Sequence, residues 1–275
     1  MLRRHVVLLI AGLVLLTSAG ILGGCAGLLE AREADEAPDV RPDPPSDDAE
    51  VILYFSDWQA QYAMPELRRA QRVGDESLAM VVVRELIAGP EDPHLVRTLP
   101  EDVEIISLEI VDDIAYVNFS EEVQNVYGSA SEVMTIRSLV YSLTELADID
   151  RVQILIEGAE ADTLGGHMAL DEPLGRGRIV THPVFVDADR AEWLQERADA
   201  GEDTFRRDPL EVARFDGRMA GFAPGDDFTL VDVDEEDGEA VVMVSRDGEE
   251  YRVELVQPAT TGENGIWMIS AIEMR

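Results

Sequence analysis

The stretch Val103-Glu104-Ile105-Ile106-Ser107-Leu108-Glu109-Ile110-Val111-Asp112-Asp113-Ile114-Ala115-Tyr116-Val117-Asn118-Phe119-Ser120 decides the fold class. Its apolar-rich runs 103–110 and 114–119 flank Val111-Asp112-Asp113, which predicts two strands joined as a hairpin. Upstream, residues 75–88 predict a helix. Asp75 is placed to cap it, Leu78, Val81, Val82 and Leu86 recur on one face, and Gly89-Pro90 stops it. Before that helix, residues 51–55 read as a strand ended by Ser56-Asp57. Downstream, residues 132–146 predict a second helix. Ser129 and Glu132 have capping-box spacing, and Val133, Ile136, Leu139, Val140 and Leu143 form its apolar stripe. Residues 152–156 add a closing strand. The order β-α-β-β-α-β implies a compact α+β sandwich with both helices on one sheet face.

A connector over residues 173–186, with Gly175, Gly177 and Pro183, leads to a second unit over residues 187–275. Residues 187–200 read as a helix with Trp193 and Leu194 on its buried face and Gly201 at its end. Asp208-Pro209-Leu210-Glu211 is a helix start, with a capping carboxylate, proline at the first helical position and an early acid. Past Pro224-Gly225, four alternating runs (228–233, 240–245, 251–257 and 266–272) are separated by Asp237-Gly238, Asp247-Gly248 and Glu263-Asn264-Gly265. This predicts a small second α+β domain with a four-stranded antiparallel meander. Two domains also suit 275 residues.

The first unit carries a family's words in order. They are Leu53-Tyr54-Phe55, Glu85-Leu86-Ile87-Ala88-Gly89-Pro90, Thr98-Leu99-Pro100-Glu101, Ala115-Tyr116-Val117-Asn118-Phe119-Ser120 and Ser142-Leu143-Thr144-Glu145-Leu146. Over residues 51–172 the chain resembles the GerMN domain of bacterial sporulation and spore-germination lipoproteins. The resemblance implies a ring-building-like fold and a non-enzymatic envelope module. A single such domain departs from the germination protein's own arrangement, so a ring of the same design does not follow. Read physically, these words keep the fold: a helix C-cap before a proline, and a strand leaving its sheet at a polar turn.

At the N-terminus, Arg3, Arg4 and His5 precede an apolar run over residues 6–24, the pattern of a secretory signal. That run is also long enough to span a bilayer, so a transmembrane anchor competes. Ile21-Leu22-Gly23-Gly24-Cys25 resembles a lipobox, which implies cleavage between Gly24 and Cys25 and acylation of Cys25. Two or three acyl chains anchor stably where one is marginal. Residues 25–50 then read as a Pro-rich acidic tether. Positions 26–50 hold nine acids, two arginines and four prolines, a composition that cannot form a core. Extended, that stretch reaches about 80 Å.

Charge narrows the partners. There are 57 acids against 22 basic residues, every one of them arginine, for a net charge of −35. Loss of Arg3 and Arg4 with the leader takes that to −37. Such a field repels phosphate backbones and excludes nucleic acid as a partner. It fits either adaptation to salt or an acidic face for a basic partner.

Catalytic signatures are sparse. One cysteine allows neither an internal disulfide nor a thiolate metal cluster. His94, His167 and His182 lie near no nucleophile elbow, and Gly165-Gly166-His167 reads as a turn. Ligation of a metal by His167, His182 and Asp171 is a weak pattern. The run from Asp232 to Gly238 imitates a calcium loop, but its glycine is one place late and no Glu closes it, so a hairpin turn is expected. Asn118-Phe119-Ser120 fits a glycosylation sequon at a strand end in a chain with a bacterial signal. The sequence therefore predicts no enzyme, no cofactor and no metal. It predicts a lipid-anchored envelope protein held to the membrane through Cys25 on the extracytoplasmic face. Such a protein acts by contact with other envelope proteins, and its self-assembly is disfavoured at low salt. The alternative is a surface lipoprotein that binds a ligand or cation between its two units.

Overall fold

A computed structural model describes residues 48–177, 179–181 and 183–275. The expected leader, Gly24, Cys25, His182 and the tether up to residue 47 lie outside the described residues. Residues Ser46–Arg275 form one compact unit. Two strands open it, β1 (Asp48–Ser56) and β2 (Ala63–Gln71), paired antiparallel as a hairpin. Helix α1 (Leu78–Ala88) follows, then β3 (Ile105–Val111) and β4 (Ile114–Phe119). Helix α2 (Gly128–Leu143) leads to β5 (Arg151–Ile156) and the two-residue β6 (Ala159–Glu160). These last four strands form one sheet in the order β3-β4-β5-β6. The β3–β4 pair is antiparallel and the β4–β5 pair parallel, since α2 carries the chain back across to start β5.

The α+β class is as expected, and the β3–β4 turn forms at Asp112 and Asp113. Both residues take left-handed φ (50° and 61°), the two-residue geometry that suits a twisted hairpin. Three details differ from the sequence reading. Strand β2 was not expected, because Pro65 and the polar run Arg68-Arg69 hide a strand whose Arg68 is buried. The sheet is split, so α1 and α2 touch both the β1–β2 hairpin and the larger sheet instead of one face. Finally, the helix starts are not those predicted. Ser77, not Asp75, caps α1 by accepting the Met80 amide at 3.2 Å. Helix α2 begins after Tyr127 with no side-chain cap, and Glu132 turns inward. At the end of α1, Gly89 holds φ 91° while its amide reaches the Glu85 and Leu86 carbonyls, a stop that favours glycine.

Beyond a backbone bridge between Ser56 and Val96, the free edge of β1 is closed by side chains. Ser142 Oγ accepts the Tyr54 amide at 3.0 Å, and Ser138 Oγ donates to the Tyr54 carbonyl. Thr98 Oγ1 donates to Ser138 at 2.7 Å, and Ser142 donates its own proton to the Ser138 carbonyl at 2.6 Å. All three hydroxyl residues are buried, so a β-strand docks on a helix with its backbone polar groups satisfied.

The C-terminal half holds α3 (Ala188–Asp199), α4 (Pro209–Asp216) and strands β7 (Asp227–Asp234), β8 (Glu239–Arg246), β9 (Glu249–Val256) and β10 (Met268–Met274). The four strands form the expected antiparallel meander, in the order β10-β9-β8-β7. Asp187 caps α3 through the Arg190 amide, and Asp208 caps α4 through the Leu210 and Glu211 amides. One apolar core runs through both halves, from Val51, Leu86 and Ile154 to Val212, Phe222 and Val253. Helix α4 and the turn Gly217–Ala220 pack on β2. The connector is strapped down as well: Val180 donates to the Ala220 carbonyl and Val184 to the Ser270 carbonyl.

Candidate functional site

Charged side chains buried along the seam between the two halves join them. The loop after α1 supplies Asp92, whose Oδ2 accepts Arg190 Nε of α3 at 2.7 Å, both side chains buried. Asp92 Oδ1 accepts the His94 amide at 2.9 Å, and the His94 ring lies 6.1 Å from that of Trp193. Farther along, Glu145 collects three donors. Tyr54 Oη donates to Oε1 at 2.5 Å, Arg218 Nη1 donates to Oε2 at 3.0 Å, and Arg176 closes on Oε1. The Arg176 guanidinium also stacks 5.5 Å from the Tyr54 ring and 5.1 Å from the Tyr141 ring.

Burial drives the Tyr54 phenol far above its ordinary range, with Arg176 opposing and Glu145 reinforcing the rise, so it stays a donor. For Arg176 burial pulls downward, but the Tyr54 and Glu145 oxygens outweigh it and hold its charge. Tyr54 and Glu145 belong to two of the family words, and Arg176 and Arg218 come from outside them.

Beside the Asp92–Arg190 joint lies an open cleft of about 550 Å³, solvent space at its mouth included. Met64, Leu95, Met219, Met268 and Ile269 give it an apolar lining. Trp58 and Phe185 meet at its mouth edge to face, 5.6 Å apart, one from the β1–β2 loop and the other from the connector. The loop is drawn tight by Asp57, whose Oδ1 accepts the Gln61 and Tyr62 amides at 2.7 and 2.9 Å. Within it Ala60 takes a left-handed φ of 55°. Burial, aided by the Asp57 charge, pushes the Tyr62 phenol up to about 12.

The two described histidines do not converge. His94 lies at the seam, while His167 Nδ1 is 2.8 Å from Glu132 Oε2 on the far side of α2. Glu132, fully buried, also accepts the His167 and Met168 amides at 2.9 and 3.3 Å. Burial alone would raise its carboxyl, and these hydrogen bonds, with one from the Gly165 amide, bring it below the usual value instead. Thus Gly165-Gly166-His167 is the lid over a buried carboxylate. Among the described residues no group of three or more His, Cys, Asp or Glu is arranged to hold a metal. The Asp232–Gly238 run is the end of β7 and the turn that follows it, in which Asp234 accepts the Glu236 and Asp237 amides at 3.0 Å. Asn118 of the sequon is buried and accepts the Gly158 amide at 2.8 Å. No helix among the described residues is long and apolar enough to cross a membrane.

Residues 52–162 match the family model Germane, described as sporulation and spore germination, and this region of the chain belongs to that family. Similar solved structures include a candidate lipoprotein from Clostridium perfringens, 30% identical, covering 47% of this chain and 88% of that one at a TM-score of 0.36. Another is the tandem GerMN domains of the sporulation protein GerM from Bacillus subtilis, 21% identical, covering 50% of this chain and 54% of that one at a TM-score of 0.42. The first GerMN domain of the same protein is 22% identical, with 46% and 98% covered and a TM-score of 0.39. No curated protein matches the chain. The matched region stops before the C-terminal half, so the three seam arginines, Arg176, Arg190 and Arg218, come from outside it.

Proposed function

We propose that the chain is a non-enzymatic, lipid-anchored protein of the bacterial cell envelope, working by protein–protein contact in sporulation, spore germination or a related envelope assembly. One observation carries the reading: a lipobox-like Gly23-Gly24-Cys25 and an acidic tether stand directly before a Germane domain. Acyl chains on Cys25 hold the protein on the extracytoplasmic face, and the tether sets the folded unit off the bilayer. The test is palmitate labelling of the full chain with Cys25→Ala beside it. The variant loses its label and leaves the membrane fraction. Membrane retention of that variant with an uncleaved N-terminus would replace the lipid anchor with a transmembrane one.

A second reading, a ligand-binding lipoprotein, draws its support from the cleft at the seam. A thermal-shift screen separates the two: a sharp rise with one class of small ligand favours the second.

A further inference from the structure

Trp58 and Phe185 touch each other, yet they remain 59% and 55% exposed at the mouth of the seam cleft. Both are held in place from behind. The Asp57 carboxylate ties the Trp58 loop, and the Val184 amide pins the connector to the Ser270 carbonyl at 2.8 Å. Behind them the cleft is walled by Met64, Leu95, Met219, Met268 and Ile269. An apolar wall of this kind suits an aliphatic stem, and it leaves the five donors of a guanidinium short of partners. The methionines that line the cleft are unbranched and yield to an entering chain.

Charge selects what the chain should carry at its end. Asp57 and Asp187 both line the cleft; Asp57 accepts two backbone amides and Asp187 one, and neither forms an ion pair among the described residues. The Arg190 guanidinium that also lines it is engaged by Asp92. Two carboxylates beside an exposed indole face form a receptor for an organic cation. An aliphatic stem ending in an ammonium group meets both requirements. This sequence contains no lysine, so a second copy cannot supply that group.

We propose that the seam cleft receives a lysine side chain of a basic partner protein. The proposal rests on the protein-contact reading above and names the chemistry of the contact. The test uses the full chain in detergent micelles, labelled with 5-fluorotryptophan. Its three tryptophans give three fluorine signals, and Trp58→Phe assigns the one at the mouth. The chain is titrated with the N-acetyl methylamides of lysine, norleucine and arginine.

Lysine is expected to shift the Trp58 signal saturably, with norleucine about tenfold weaker because it lacks the charge and arginine weaker than lysine. Asp187→Ser, which keeps a hydroxyl to cap α3, should weaken lysine several-fold and leave norleucine unchanged. No response of Trp58 to lysine, equal binding of norleucine or arginine, or an indifferent Asp187→Ser variant would each overturn the assignment. The titration needs no membrane, so a failed Cys25 fractionation and a failed lysine site are distinguishable.

Discussion

Replacing Arg190 by Met keeps an unbranched stem at the seam and removes the guanidinium from Asp92. The carboxylate then stays in a site where it is only 3% exposed, holding the His94 amide and no counter-charge. Breaking a buried pair from one side costs about 3–5 kcal/mol, because the remaining charge is left uncompensated. A unit of this size shifts its midpoint by about 2–4 °C per kcal/mol, so Tm should fall by roughly 6–20 °C. Replacing both partners, Asp92→Leu with Arg190→Met, should recover most of the loss, since an apolar pair has no charge to desolvate. Urea and thermal unfolding of the three variants, followed by far-ultraviolet circular dichroism, give the comparison. The shared core also predicts a single cooperative transition for both halves. A loss under about 1 kcal/mol for Arg190→Met, or a double variant no better than the single, would refute the buried-pair argument. Two separated transitions in the parent protein would refute the shared core.

Ser142→Ala should cost about 1–3 kcal/mol in urea unfolding, because it strands the buried Tyr54 amide; a loss no larger than that of an exposed serine would show that β1 finds another acceptor. Glu132→Gln tests the carboxylate under the Gly165–His167 lid. Its folded pKa is depressed, so its contribution is present above the unfolded value of about 4.3 and is lost as pH falls through the lower folded value. Parent and variant should therefore differ most near neutrality and converge in acid, and a gap that widens on acidification would reverse that sign. Ala60→Gly should raise stability by about 1 kcal/mol by relieving a left-handed alanine in the Trp58 loop, measurable as a higher urea midpoint. The unit Ser46–Arg275 should sediment as a monomer at low salt, where acidic surfaces repel over about 30 Å at 0.01 M, and associate only as salt rises or a basic partner is added. A dimer at low salt that dissociates in high salt would point to arginine–carboxylate pairing between copies.

The strands that alternate were legible from sequence: β8 and β9 bury every second side chain over most of their length, and Asp-Gly pairs mark the turns that flank β8. Strand β2 was not, because its buried face includes Arg68, held by Glu66, Glu85 and the Gly89 carbonyl, which reads as a surface residue. The split between the sheets was hidden for a related reason. Tyr54 takes its hydrogen bonds from serines 84 and 88 residues away, and no local pattern announces such partners. Ser129 and Glu132 have the spacing of a capping box, but Glu132 satisfies amides in the 165–168 loop, and those glycines were the available hint. The seam was the least readable feature. Asp92 and Arg190 lie 98 residues apart among 57 acids and 22 arginines, and nothing in the sequence separates this pair from the solvated rest.

The serine-stitched edge of β1 has a mechanical consequence. Load arriving along the chain from the N-terminal side enters the folded unit at Asp48, paired with Gln71 at the open end of the hairpin. Tension there peels β1 from β2 one residue pair at a time, the weakest direction in which a sheet can be pulled. The zipper runs only as far as Tyr54, where β1 is bonded on its other side to α2 and the phenol is clasped by Glu145. From that point the strand must break bonds on two sides at once. The first turns of the hairpin therefore act as a yielding segment, and the serine stitch is the stop that protects the core behind it.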